Sequence, residues 1–194
     1  MLIKIKKAPV AQLDRAADYG SAGWGFDSLQ ACLNEEKWMR EALKEAELAL
    51  REGEVPVGAV VVVNERIVGK GHNQTERLKD PTAHAEIIAI TAACNALGSS
   101  RLEKAEVYVT LEPCVMCTGA MVLARIKKLV FGAQEKKFGA CGSKYNIPFD
   151  NLLNHTFEVK KGVLEKKAKE LLEEFFKKRR RDGRVDEGAR LEIA

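Results

Sequence analysis

The sequence predicts an α/β fold in which helices pack on the faces of a layered β-sheet. Short segments rich in β-branched residues alternate along the chain with segments whose apolar residues recur at helical spacing. Strands that alternate with helices in this way imply a sheet covered by helices. The length of 194 residues fits one domain, and 46% hydrophobic with 31% charged residues is typical of a globular protein.

The first predicted elements are a helix and two strands. The helix ends at Gly53, and residues 55–63 are nearly continuously apolar and β-branched, as in a strand buried on both faces. Asn64 and Glu65 turn the chain into a second strand at residues 66–71. The helix is predicted from four apolar residues at helical spacing: Trp38, Ala42, Ala46 and Leu50.

Helices and strands continue to alternate in the second half of the chain. A helix over residues 84–97 follows the start signals Asp80, Pro81 and Thr82. The remaining predicted elements are a strand at 106–110, a helix at 114–124, strands at 128–132 and 156–160, and a last helix at 164–180.

The last helix combines an apolar side with a concentration of positive charge. Nine Lys and Arg residues and five Asp and Glu residues lie between Glu165 and Arg184, in a chain with a net charge of +4. Such a surface would attract a phosphate backbone. From charge alone, a solvated helix face is an equally good interpretation. The predicted buried residues of this helix are Leu164, Ala168, Leu171, Leu172, Phe175 and Phe176.

Residues 1–33 differ from the rest of the chain. Their second half shows neither helical nor strand periodicity. Residues 10–16 and 25–28 can be encoded by codons that resemble the D-arm and T-loop of a tRNA gene. We interpret residues 1–33 as a non-native, disordered extension translated from an adjacent tRNA gene; the alternative is a natural disordered extension. Residues 34–181 are the predicted catalytic domain, and residues 182–194 a disordered tail.

The sequence predicts a cytoplasmic protein that does not bind a membrane. No apolar run approaches the ~18 residues of a membrane helix. The lysine-containing start, residues 1–7, has no apolar stretch behind it and is a poor signal peptide. An odd number of cysteines, five, argues against a disulfide framework and for a reducing compartment.

His84, Cys114 and Cys117 are candidate ligands for a catalytic zinc ion, which needs three protein ligands and an open fourth position. Cysteines at i and i+3 lie on one side of a helical turn, so both sulfurs can reach one metal. Pro113 suits the start of a helix, whose N-terminus favours thiolates. Taken alone, the Cys-x-x-Cys pair is also consistent with a redox pair or with half of a structural zinc site.

Glu86, two residues after His84, is the candidate catalytic acid and base. A carboxylate beside zinc can take a proton from water and deliver protons to the substrate. His-Ala-Glu followed by Pro-Cys-Val-Met-Cys matches the signature of zinc deaminases, and the roles are taken from that signature. The other cysteines, Cys32, Cys94 and Cys141, have no such spacing. Cys94 is predicted to be a helix residue that packs in the protein core.

Beyond this signature, the chain closely resembles the bacterial tRNA-specific adenosine deaminase family, within the cytidine deaminase-like superfamily. The resemblance extends over roughly residues 36–181. It is carried by residues 53–60 (Gly-Glu-Val-Pro-Val-Gly-Ala-Val), 80–86 (Asp-Pro-Thr-Ala-His-Ala-Glu) and 111–117 (Leu-Glu-Pro-Cys-Val-Met-Cys), with further agreement at 131–133, 153–155 and 175–176.

The resemblance implies a three-layer α/β/α fold with a mixed central sheet, a homodimer, and one zinc ion per subunit. It implies hydrolysis of a C–N bond, converting adenosine to inosine at the wobble position of a tRNA such as the arginine tRNA with anticodon ACG, with release of ammonia. Asn73 matches the asparagine that hydrogen-bonds the purine, and Val57 and Ala85 match further substrate contacts.

The resemblance also implies contacts with the anticodon stem-loop. In the last helix, phosphate contacts are expected from Lys177, Lys178, Arg179 and Arg180. Glu135 lies in a loop expected beside the RNA, where the family usually has Asp. Thr156 stands where the family usually has Arg or Lys, so one cation is missing.

Two other functions compete with this assignment. A deaminase of a free base or nucleotide, such as guanine or deoxycytidylate, would share the metal ligands and Glu86. A nucleic-acid-binding module with a structural zinc would require a closed site of four ligands. The basic last helix and residues 80–86 disfavour the first alternative, and the three-ligand motif disfavours the second.

Overall fold

The computed structural model of the protein describes residues 21–150 and 152–181. The chain divides into two units, Met1–Asn34 and Glu35–Ala194. The helices are α1 (Ser21–Glu52), α2 (Thr75–Leu78), α3 (Ala85–Leu97), α4 (Val115–Ala124) and α5 (Glu165–Arg181), with a 3-10 helix at Ile147–Phe149. The strands are β1 (Gly58–Val63), β2 (Arg66–His72), β3 (Glu106–Leu111), β4 (Lys128–Ala133) and β5 (Glu158–Lys161).

The five strands form one mixed sheet in the order β2-β1-β3-β4-β5. Strand β1 is antiparallel to both β2 and β3, whereas β3, β4 and β5 are parallel. Asn64 and Glu65 connect β1 to β2 with φ angles of 49° and 57°. Two consecutive residues with positive φ are characteristic of a type I′ hairpin turn, which confirms the predicted turn.

Helices cover both faces of the sheet, which confirms the predicted three-layer architecture. Alternate residues of a strand point to opposite faces. Ala59 and Val61 of β1 pack in the core formed with α3 and α4, while Val60 and Val62 pack with residues of α1. Helix α5 contacts β3 and β4 and joins a third apolar cluster through Ala168 and Leu172.

Glycines allow α3 to lie directly on β2. A Cβ atom at Gly69 would lie 2.3 Å from the carbonyl oxygen of Ala89, and one at Gly71 would lie 2.5 Å from that of Ala85. Because no side chain fits in this space, β2 holds the first turn of α3 at a fixed height above the sheet. That turn contains Glu86 and follows His84.

Several boundaries differ from the predicted ones. Helix α1 begins at Ser21, within residues 1–33, whose interpretation as a translated tRNA gene stays a prediction. Strand β1 begins at Gly58 rather than at residue 55, because Pro56 has no N–H group and the Val57 N–H turns back to the Val55 carbonyl.

Helix α2 and the 3-10 helix were not predicted. The proposed tail at 182–194 lies outside the described residues. Within the described ranges, no helix is both long and apolar enough to cross a membrane.

Candidate metal centre and active site

Two of the candidate ligands lie at the N-termini of helices that contact each other. His84 is the N-cap of α3 and Cys114 is the N-cap of α4, both with extended backbone angles. Their carbonyl oxygens accept the first helical hydrogen bonds, from Ile88 and Thr118, and neither side chain caps its own helix. Both side chains therefore project from helix N-termini, where the helix dipole favours negative charge.

The three ligand atoms form a compact triangle. His84 Nδ1 lies 3.7 Å from Cys114 Sγ and 3.5 Å from Cys117 Sγ, and all three atoms lie within 4.8 Å of one another. A tetrahedral zinc ion with ordinary bond lengths would hold nitrogen and sulfur ligands about 3.6 Å apart. The donor set and its spacing are therefore compatible with zinc.

The protein groups alone already favour a thiolate in this triangle. A hydrogen bond from Cys117, with further contributions from His84, lowers the pKa of Cys114 to about 4. The same pairing with Cys114, together with burial, raises the pKa of Cys117. Hydrogen bonding to Cys114 also raises the pKa of His84. A metal cation would displace the shared protons, because it binds thiolates and neutral imidazole.

Glu86 lies beside the triangle in the first turn of α3, and only 4% of its surface is exposed. Burial raises its pKa above the ordinary value for a glutamate, while the charge of His84 acts in the opposite direction. Buried carboxyl groups with raised pKa are typical of residues that exchange protons with a substrate. The structure thus brings together His84, Glu86, Cys114 and Cys117.

The three expected substrate contacts also lie together. The backbone N–H of Asn73 donates to the carbonyl oxygen of Val57 at 3.0 Å, immediately after β2. Val57 and Ala85 belong to the same apolar cluster, and Ala85 opens α3 next to His84. The side chains of Asn73 and Val57 are 7% exposed. One hydrogen bond thus joins Asn73 to Val57, and Ala85 directly follows the ligand His84.

Sequence reasoning missed the role of Glu54 at the start of α2. Its carboxylate is 2% exposed and accepts hydrogen bonds from the Arg77 N–H at 2.7 Å, the Glu76 N–H at 3.1 Å and the Thr75 hydroxyl at 3.3 Å. Glu54 thereby holds the N-terminus of α2, which lies between Asn73 and His84 in the chain. The only local signal was its place in the motif at residues 53–60.

The basic residues expected to contact tRNA lie in the last turns of α5. Lys178 and Arg180 are exposed near the end of α5, while Lys177 pairs with Glu173 at 3.3 Å and Arg179 lies 5.4 Å from the Phe175 ring centre. Helix α5 packs against β3 and β4.

Glu135 and Thr156 have local structural contacts. Glu135 is only 7% exposed, and its carboxylate accepts a hydrogen bond from the Lys137 N–H. One oxygen of this carboxylate is therefore occupied by a hydrogen bond within its own loop. The hydroxyl of Thr156, which stands where a cation was expected, donates to the Pro148 carbonyl and ties two loop segments together.

Comparisons with known proteins agree with this geometry. Residues 33–180 match the family model of MafB19-like deaminases. The tRNA-specific adenosine deaminase of Aquifex aeolicus is 50% identical over 148 residues, which are 76% of this chain and 97% of that protein.

Two solved structures are similar to the fold described above. One, from studies of A-to-I editing by tRNA:A34 deaminases at the wobble position of transfer RNA, has a TM-score of 0.68 and 44% identity. The match covers 70% of this chain and 99% of the other. The other, a guanine deaminase from Nitrosomonas europaea, has a TM-score of 0.63 and 25% identity, covering 72% of this chain and 83% of that chain.

Proposed function

The chain belongs to the tRNA-specific adenosine deaminase family, and on this basis we propose that it converts adenosine to inosine at the wobble position of a tRNA. The observation that carries the proposal is the triangle of His84, Cys114 and Cys117 with the buried carboxyl group of Glu86 beside it. The reaction consumes one water and releases one ammonia. A tRNA substrate is also our reason for proposing a cytoplasmic location.

One zinc ion per chain would be held by His84 Nδ1 and by the sulfurs of Cys114 and Cys117. When bound, it would acidify water at its open fourth position. The chain itself supplies the negative charge for the ion, because the low pKa of Cys114 keeps that sulfur ionised at neutral pH. Both cysteines are already in reach of His84, so little rearrangement is needed.

Glu86 would carry the protons of the reaction. Its carboxylate accepts a proton from the attacking water and delivers it to the ring nitrogen next to the reacting carbon. It then takes the second proton of the same water, from the hydroxyl group now on that carbon, and transfers it to the amine, which leaves as ammonia while a C=O bond forms. The low exposure of Glu86 keeps solvent from competing for these protons. A raised pKa suits this work, because the same group must both accept and release a proton near neutral pH.

The target base would leave its stack and enter a pocket formed by Val57, Asn73 and Ala85. A side-chain amide both donates and accepts hydrogen bonds, so Asn73 can recognise a purine, which has both kinds of group on its edge. Val57 and Ala85 offer apolar surface to the base. The backbone N–H of Asn73 donates to the Val57 carbonyl, and this hydrogen bond fixes the backbone from which the side-chain amide extends beside the apolar surface.

The rest of the tRNA would be bound by basic residues of α5 and by the loop that follows β4. The exposed ammonium and guanidinium groups of Lys178 and Arg180, with those of Lys177 and Arg179, suit anticodon-stem phosphates. Glu135 would border the RNA strand in the loop. We propose the arginine tRNA with anticodon ACG as the substrate, since its wobble base is adenosine.

We also propose that two copies form a homodimer through the outer face of α4. Helix α4 contacts the 3-10 helix, and large apolar side chains are exposed along both elements and the loop that follows. Leu123 is 80% exposed, and a Cβ atom at Gly119 would meet nothing within 4 Å, so a second helix could approach closely. The exposed apolar residues are Val115, Leu123, Phe149, Leu152 and Leu153.

The similarity to a guanine deaminase keeps a free base as the alternative substrate. A panel assay separates the two: full-length protein with zinc is incubated with an anticodon stem-loop, free adenosine, guanine and deoxycytidylate, and each product is quantified by mass spectrometry. We expect turnover of the stem-loop with at least hundredfold lower kcat/KM for the small molecules, because none of them has the stem phosphates that we propose bind α5. Faster turnover of guanine or deoxycytidylate would refute it.

A further inference from the structure

The carboxylate of Glu112 lies at the centre of the loop that follows β4. Glu112 is 3% exposed. Its Oε1 atom accepts hydrogen bonds from the backbone N–H groups of Cys141 and Ser143, each at 3.0 Å. Its Oε2 atom accepts from the N–H of Glu135 at 3.1 Å and from the hydroxyl of Ser143. A carboxylate offers about four acceptor sites, so these four hydrogen bonds from the loop satisfy the acceptors of the buried carboxylate.

The backbone ties the same loop to the segment that carries Cys114. The Ala140 N–H donates to the Pro113 carbonyl at 2.8 Å, and the Glu112 N–H donates to the Ala133 carbonyl at 2.8 Å. A Cβ atom at Gly139 would lie 2.6 Å from the carboxyl carbon of Glu112. The lack of a side chain at this position is therefore required for the close approach of loop and carboxylate.

We propose that Glu112 is a positioning residue for substrate binding: it fixes loop 134–146 beside the metal-ligand segment and so sets where the exposed side chains of that loop meet the RNA. Those side chains include Phe138, which is 64% exposed, and Tyr145, which is 49% exposed. An aromatic ring on a fixed loop can stack on an unpaired base. This inference rests on the proposed tRNA substrate.

The contacts of Glu112 indicate a role in positioning the loop and not a role in the chemical step. Its hydrogen bonds go to the loop residues Glu135, Cys141 and Ser143, and the ligand triangle is held by the caps of α3 and α4. Loss of the carboxylate should therefore weaken RNA binding while zinc and the chemical step are retained. The replacement Glu112→Gln keeps the shape but turns an acceptor into a donor that faces backbone N–H groups.

The test compares Glu112→Gln with Glu54→Gln in the full-length zinc-loaded protein. Glu54 is the matched control, because it is an equally buried carboxylate that accepts N–H groups of a different segment, residues 75–77. Three quantities are measured: zinc per chain, amide hydrogen exchange by segment, and KM and kcat for an anticodon stem-loop.

We expect Glu112→Gln to accelerate exchange in loop 134–146 at least tenfold, and Glu54→Gln to accelerate it only around α2. We expect Glu112→Gln to keep its zinc and to raise KM for the stem-loop about tenfold, equivalent to about 1.4 kcal/mol of binding, with kcat changed less than threefold. Gly139→Ala, with the carboxylate intact, should accelerate the same amides. If Glu112→Gln does not fold, Ser143→Ala should show a smaller change in the same loop.

Unchanged exchange in loop 134–146, loss of zinc, or a fall in kcat at constant KM would overturn the inference. Failure of the proposed function is a separate result: the unmodified protein would then leave the stem-loop unreacted. In that case the exchange and zinc data still decide whether Glu112 anchors the loop.

Discussion

His84 Nδ1 and Cys114 Sγ lie 3.7 Å apart, although each belongs to the N-cap of a different helix. The spacing is that of two ligands on one tetrahedral zinc ion, about 3.6 Å. The N-termini of α3 and α4 therefore meet at these two side chains. The third ligand, Cys117, lies in the first turn of α4. Any change that moves α3 relative to α4 should alter metal binding before it alters the sheet.

Removal of a ligand should abolish zinc binding. Cys117→Ser in the buried ligand position is expected to reduce zinc to less than about one tenth of an equivalent per chain, measured by metal analysis after dialysis, because the remaining two ligands bind zinc weakly. Cys141→Ala is the control, since Cys141 is also buried but contacts the Thr118 hydroxyl at 3.4 Å instead. Zinc retained in Cys117→Ser, or lost in Cys141→Ala, would show that the ligands are misassigned.

Replacement of Glu86 should separate chemistry from structure. Glu86→Gln preserves the size of the side chain but removes the group that exchanges protons, so kcat should fall about 10²–10⁴-fold. Zinc content and the thermal midpoint should remain close to those of the unmodified protein. The measurement is single-turnover inosine formation at saturating protein. A variant that retains more than a tenth of the activity would exclude Glu86 as the acid and base.

Basic residues at the end of α5 should set the salt dependence of tRNA binding. The double variant Lys178→Gln/Arg180→Gln removes two exposed cations and should reduce the slope of log Kd against log salt by about 1–2. Lys166→Gln/Lys167→Gln removes the same charge from exposed residues at the other end of the helix. If both double variants change the slope equally, the salt dependence reflects the net charge of the protein, and the prediction that the end of α5 contacts the RNA is wrong.

Glu35 should make stability depend on acid pH. Burial would raise its pKa, but hydrogen bonds and charges of Lys128, at 2.7 Å, and of Lys160 outweigh burial and lower the pKa below 4.5. The ionised form is therefore favoured by folding, and its contribution is fully present above about pH 4.5. It is lost as the pH falls through the lowered pKa.

This dependence can be measured by urea unfolding at several pH values. Glu35→Gln should reduce the free energy of unfolding by about 1–3 kcal/mol at neutral pH, since it replaces hydrogen bonds between charged groups. The difference between the two proteins should shrink as the pH falls below about 4. A difference that stays constant with pH would contradict the assignment of this ion pair.

Much of the fold could be predicted because its signals are local. The β-branched run before Asn64 and the apolar periodicity of α3 and α5 are contained in consecutive residues. Helix α2 was missed because its four residues have no period of their own and are held by Glu54, more than twenty positions earlier. The early start of α1 was missed because residues 21–33 lack the periodicity on which the prediction relied.

The site was predictable for a different reason. The ligands and Glu86 form a motif whose chemistry requires those residue types at that spacing. Glu112 stands in the same motif, but the sequence predicts no role for it, because its partners lie 23–31 positions away. A contact over that distance leaves no mark on the local pattern of either segment. Its function becomes visible only when the loop is folded around the carboxylate.

Deamination of the wobble adenosine can be tested on a full-length transcript of the arginine tRNA with anticodon ACG. The full-length zinc-loaded protein is incubated with this transcript and with a matched transcript whose wobble adenosine is replaced by guanosine. Inosine is then located by nuclease digestion and mass spectrometry. We expect inosine at the wobble position of the first transcript and none in the second. An unreacted wobble adenosine, or inosine at other adenosines in both transcripts, would contradict it.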